Sequence, residues 1–96
     1  MLTIDEIKKT VAKIAPQYNL KKVTLFGSRA NGTAREDSDV DLIVEFAENK
    51  VVTLFTLAGL MIDLEEIFGV GVDVIHGPKQ DSWMIEIDKE LEIYAA

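Results

Sequence analysis

The seven residues VDLIVEF, Val40 to Phe46, constrain the fold of this chain more than any others. Val40, Leu42, Val44 and Phe46 alternate with Asp41, Ile43 and Glu45, the period-two pattern of a strand. The strand begins inside a row of acids, Asp37, Asp39 and Asp41, spaced two apart. Period two puts Asp39 and Asp41 on the same face of the strand, so they can hold one site between them. Carboxylates this close repel one another, and a positive group is expected among them.

The neighbouring segments supply the rest of a small sandwich. LTIDEIKKTVAKIAP reads as a helix. Thr3 and Glu6 have capping-box spacing, Leu2 and Ile7 can form the accompanying staple, Ile7, Val11 and Ile14 share a face, and Pro16 marks the exit. Lys22 to Phe26 reads as a strand. Val51 to Phe68 reads as a helix closed by Gly69. Val70 to Ile75 is a third strand, DSWMIEID a short helix capped by Asp81 or Ser82, and ELEIYA a last strand. The order α-β-loop-β-α-β-α-β predicts an α/β (α+β) fold, with helices packed against a small mixed sheet. The 96 residues are expected to form one domain, residues 1–96.

Composition narrows the setting. The formal net charge is −7, so the cationic surplus of a protein that binds nucleic acid in bulk is missing. There is no Cys, which removes disulfides and thiolate metal sites. The opening MLTIDEIKK lacks the apolar core of a signal peptide, and the uncharged run from Val51 to Ile62 is too short for a membrane span. A cytoplasmic protein is expected, and the NGT sequon at Asn31 therefore carries no weight.

A third acid, Asp73, lies between Val72 and Val74. If the second and third strands are neighbours, Asp39, Asp41 and Asp73 form a triad of hard oxygen ligands suited to Mg²⁺ or Mn²⁺. Upstream, Gly27 allows the backbone to approach a ligand closely. Ser28 is expected to cap a short helix through SRANG, ended by Gly32, whose N-terminus would receive an anion. Arg29 and Arg35 add donors suited to phosphate. A phosphate cradle beside a divalent-metal triad points to metal-assisted phosphoryl or nucleotidyl transfer. An EF-hand fails because Leu42 stands where its loop requires Gly. A Walker A loop fails because no Gly-Lys-Ser/Thr follows Gly27. The remaining rival is solvated surface charge, with Asp39 capping a turn.

GSRANGTAREDSDVDL resembles the signature of the DNA polymerase β-like nucleotidyltransferase superfamily: Gly27-Ser28, ten intervening residues, then Asp39-Val40-Asp41, with VDVI at Asp73 as the third acid. The short chain resembles the minimal nucleotidyltransferase (MNT) family, the antitoxin half of HEPN/MNT toxin–antitoxin pairs. The resemblance implies a nucleotidyltransferase (polymerase β-like) fold. It implies ATP on the Gly27-Ser28 turn, with Ser28, Arg29 and, less directly, Arg35 at the phosphates. It implies two Mg²⁺ ions on Asp39 and Asp41, and Asp73 as a ligand that helps to activate an incoming hydroxyl. The acceptor it implies is a tyrosine of a HEPN-type toxin, bound in a hetero-oligomer. An inactive nucleotide-binding antitoxin is the alternative. Small-molecule modification is disfavoured, because 96 residues leave no room for a second domain.

The apolar positions of Val51 to Phe68 cover more than one helix face at about 100° per residue. A central, packed helix is expected, with an interface as the competing reading. His76 is assigned to a turn or cap rather than to a base contact, Trp83 to anchoring a helix, and Asp37 to loop polarity or a cap.

Overall fold

The computed structural model describes residues 2–48, 51–78 and 90–96. Its elements follow in the order α1 (Ile4–Tyr18), β1 (Leu20–Phe26), α2 (Ser28–Asn31), β2 (Val40–Phe46), α3 (Leu54–Phe68), β3 (Val72–His76) and β4 (Leu91–Ala95). The strands form one mixed sheet in the order β3-β2-β1-β4. β1 runs antiparallel to both β2 and β4, whereas β2 and β3 are parallel. The parallel pair is joined by α3, the crossover that such a pair requires. The expected helix over DSWMIEID, and Trp83 within it, lie outside the described residues.

Local chemistry explains most element ends. The Glu6 amide donates to Thr3 Oγ1 (3.1 Å), so Thr3 caps α1 as its spacing predicts. Leu2 packs against the core that contains Ile7, consistent with the staple. Pro16 does not end the helix. α1 continues to Tyr18, and Asn19 closes it in the left-handed region (φ 57°), its amide bonded to the Ala15 and Pro16 carbonyls. At the start of α3, Thr53 and Thr56 exchange side-chain to backbone bonds in a capping box, so the helix starts at Leu54 rather than at Val51. β1 starts earlier than the pattern predicts, at Leu20, because Leu20 pairs with Phe46 across a bulge. β3 starts later, at Val72, and runs on to His76, whose ring meets Phe46 edge-on at 5.4 Å.

The core lies on one face of the sheet. Ile7, Val11 and Ile14 of α1 and Leu60 and Leu64 of α3 close over Val23 of β1 and Leu42 and Val44 of β2. Leu42 and Val44 face the helices, so Asp41 on the alternate register faces away from them. α3 is not the centrally buried helix that its composition suggests. Leu60 and Leu64 are buried, but Leu54, Phe55, Ile62 and Ile67 are 83%, 90%, 55% and 57% exposed. Position on the domain edge overrides composition here: α3 has the sheet under one side only. No helix among the described residues is long and apolar enough to cross a membrane.

Candidate active site

The acids meet at one end of β2 and β3. Parallel pairing sets Asp41 directly beside Asp73, and antiparallel pairing sets Asp41 opposite Phe26, the residue before Gly27. Asp41 is half-buried, while Asp39 and Asp73 are exposed. The Asp41 carboxyl is pushed up to about 6, first by burial, then by the Asp73 charge and a hydrogen bond shared with Asp73, and last by Asp39. The charges of Asp73 and Asp39 thus both oppose ionisation of Asp41. Among the described residues no three His, Cys, Asp or Glu are gathered into a set that encloses a metal ion. Asp41 and Asp73 form a close pair, and Asp39 acts on Asp41 through its charge. The paired oxygens of Asp41 and Asp73 are anionic and short of positive charge, the donor chemistry that a hard divalent cation takes.

Two glycines make this crowding sterically feasible. Gly27 has φ 75° and ψ −158°, and a Cβ there would lie 2.2 Å from Asp41 Oδ2. No residue with a side chain fits, on backbone and on contact grounds alike. The Gly-Ser turn thus lies directly under the Asp41 carboxylate. A Cβ on Gly71 would lie 2.6 Å from Asp39 Oδ1, and the Gly71 carbonyl accepts from the Val40 amide at 2.9 Å. Gly71 was not legible as a site residue, although a glycine at the entry of an apolar strand is itself a sign of close approach.

The turn differs in detail from the sequence expectation. Gly27 is the N-cap of α2, and Ser28 is its first residue rather than its cap. The Gly27 carbonyl accepts from the Ala30 and Asn31 amides, and Gly32 ends the helix as expected. Arg29 departs further. It is 5% exposed and points inward. Its Nη2 and Nε donate to the Ser38 carbonyl at 2.7 and 3.2 Å, and Nη1 donates to the Leu2 carbonyl at 3.4 Å. The sequence expectation placed this guanidinium on a phosphate, whereas here it is committed to main-chain carbonyls. Arg35 remains exposed on the loop, its amide donating to Ser38 Oγ at 2.7 Å. Asp37 sits exposed in the turn that this bond closes.

Comparisons with known proteins show the family and the fold. Residues 4–93 fit the nucleotidyltransferase domain family. A Methanocaldococcus jannaschii chain named for protein adenylyltransferase activity is 39% identical over 74 residues, which make up 77% of each chain. The protein adenylyltransferase MntA of Thermococcus cleftensis is 33% identical over 79 residues, 78% of each chain. Among solved structures, a chain in the complex of tri-AMPylated Shewanella oneidensis HEPN toxin with MNT antitoxin superimposes with a TM-score of 0.71. That match covers 98% of this chain and 74% of the other at 14% identity, so it speaks for the fold. A sheet that sets paired acids over a Gly-Ser turn, in a chain this similar to MntA, belongs to the minimal nucleotidyltransferase family, and the protein is a nucleotidyltransferase.

Proposed function

We propose that this enzyme transfers AMP from ATP to a hydroxyl of a partner protein, a tyrosine of a HEPN-type toxin, and so acts as its antitoxin. The observation that carries the reading is the Asp41 carboxylate resting on Gly27 while paired with Asp73. The Gly27-Ser28 turn and the acids would then serve one ligand, with its phosphates on the turn and carboxylates beside them that would hold a metal.

In this reading Asp39, Asp41 and Asp73 would hold Mg²⁺, with Mn²⁺ as a substitute. When bound, the metal supplies charge neutralisation for the attacking and leaving oxygens. Gly27 and Ser28 would receive the triphosphate, and exposed Arg35 would supply a cation to it. The acceptor oxygen forms a bond to the α-phosphorus as the bond to the β-phosphate oxygen breaks. Pyrophosphate leaves, and the hydroxyl proton passes to a carboxylate, Asp73 in this assignment. The exposed side chains of α3 supply the surface that a partner would cover.

The test is transfer itself. The protein is incubated with the product of its neighbouring gene, Mg²⁺ and each labelled triphosphate, and the partner is weighed by mass spectrometry. A gain of one or more AMP units on tyrosine, lost in the Asp39→Ala/Asp41→Ala double variant, is expected. A stable complex without mass gain would identify a steric antitoxin instead. Phe55→Glu is expected to weaken that complex at least ~10-fold, as loss of an exposed aromatic anchor does. An unchanged affinity would remove α3 from the interface.

A further inference from the structure

We infer that Arg29 is a positioning residue that fixes the direction of Asp39 through the main chain, and does not contact the triphosphate. The inference rests on the reading of Asp39 as a metal-binding carboxylate.

The geometry is specific. Two nitrogens of the guanidinium converge on one oxygen, the Ser38 carbonyl, at 2.7 and 3.2 Å. Nη2 also reaches the Arg35 and Glu36 carbonyls, each at 3.4 Å. These oxygens belong to the turn that leads directly into Asp39. The same turn is closed by the Ser38 amide on the Arg35 carbonyl (3.1 Å) and by the Arg35 amide on Ser38 Oγ (2.7 Å). The carbonyl of Ser38 and the amide of Asp39 share one planar peptide unit. Holding that oxygen therefore sets the plane from which the Asp39 side chain departs. On the far side the Val40 amide is held by Gly71, against which Asp39 packs.

Electrostatics supports the assignment. The salt bridges among the described residues are those of Lys22 with Glu45 and Glu92, so Arg29 is held by carbonyl dipoles rather than by an acid. Charged donors form the stronger hydrogen bonds, and the planar fork reaches several oxygens at once. A buried cation here also lets the loop keep its acids free for a ligand. Lysine would retain the charge but lose the fork.

Binding of Mn²⁺ alone, followed by electron paramagnetic resonance, tests the idea on wild type, Arg29→Lys and Asp39→Ala. Arg29→Lys is expected to weaken Mn²⁺ binding ~10-fold and to lower kcat ~10- to 100-fold, the range for supports behind metal ligands. KM for ATP should stay within about twofold, because binding of the triphosphate is not the function removed. A raised KM with unchanged Mn²⁺ affinity would place Arg29 on the phosphates and overturn the inference. Unchanged kcat, KM and Mn²⁺ affinity with only a lower melting temperature would reduce Arg29 to a fold support and also overturn it. If Arg29→Lys does not fold, the wild-type Arg29 Nε–H resonance decides. It should hold still when a non-hydrolysable ATP analogue and Mg²⁺ are added, while the Ser28 amide moves. A displacement as large as that of Ser28 would overturn the proposal. Asp39→Ala separates the two levels: Mn²⁺ affinity unchanged in that variant defeats the reading of Asp39 itself. Affinity lost in Asp39→Ala but retained in Arg29→Lys defeats only the role given to Arg29.

Discussion

One residue step along β2 separates Leu42, buried with no exposure under α1 and α3, from Asp41 on the opposite face of the sheet. The apolar side is packed from above by two helices and stabilises the fold as its area leaves water. The acid side lowers stability once ionised, because Asp41 meets burial and the charges of Asp73 and Asp39 together. The strand is therefore both the centre of the core and the least comfortable electrostatic position described. This pairing teaches where the energy for an unfavourable site comes from: the same backbone that crowds the carboxylates is held in place by Val40, Leu42 and Val44 beneath them.

The largest expected effect breaks the apolar half. Leu42→Ala should lower unfolding free energy by about 3 kcal/mol, within the range for a fully buried leucine. Urea denaturation checks this. A loss below about 1 kcal/mol would mean that the helices collapse into the space and that the two faces differ little in energy.

Gly27→Ala breaks the contact between the turn and Asp41. The new methyl would lie 2.2 Å from Oδ2 at a backbone angle of φ 75°, so turn and carboxylate must separate. Transfer should fall about 100-fold, with roughly 1–2 kcal/mol of stability lost to the strained backbone. Gly32→Ala sharpens the result, because Gly32 has φ 80° with nothing within 4 Å. It should cost about 1 kcal/mol of stability and leave transfer nearly intact. Equal losses of transfer in the two variants would show strain, not the contact with Asp41, to be what matters.

The smallest effect concerns charge. The folded protein raises the Asp41 carboxyl from 3.8 to about 6, so it holds that proton more tightly than the unfolded chain does. Its favourable contribution is complete below pH 3.8 and is lost as pH rises through about 6. Asp41→Asn should therefore be more stable than wild type at pH 7.5 by about 1 kcal/mol, after discount for the partial exposure of the group. The gap should close near pH 4 and shrink when Mg²⁺ neutralises the wild-type site. Thermal unfolding at both pH values, with and without Mg²⁺, provides the check. A wild type that is the more stable at pH 7.5 without metal would show that the acids are already compensated.

Much of this molecule is local and was legible in the residues. Alternation over Val40–Phe46 matches β2 at both ends, Thr3 caps α1, and Gly69 closes α3 in the left-handed region (φ 73°). Such features depend on backbone sterics and on neighbours a few residues away, which is what a linear pattern records. The Gly27-Ser28 to Asp39-Asp41 spacing pointed to the chemistry for the same reason: the turn and the acids flank one loop. Other features required distant segments to meet. Parallel register set Asp73 beside Asp41, and Gly71 made room for Asp39. The Tyr18 hydroxyl found Asp63, beside Gly59 and across from α1, with no signal in the sequence that they would meet. Two directional choices also lay outside the pattern. Composition marks α3 as apolar but does not say which side the sheet will cover, and an arginine beside a phosphate-type turn can face the ligand or the protein. Strand pairing and packing decided both, leaving Phe55 in solvent and turning Arg29 inward, because side-chain direction is set by long-range contacts that no local period encodes.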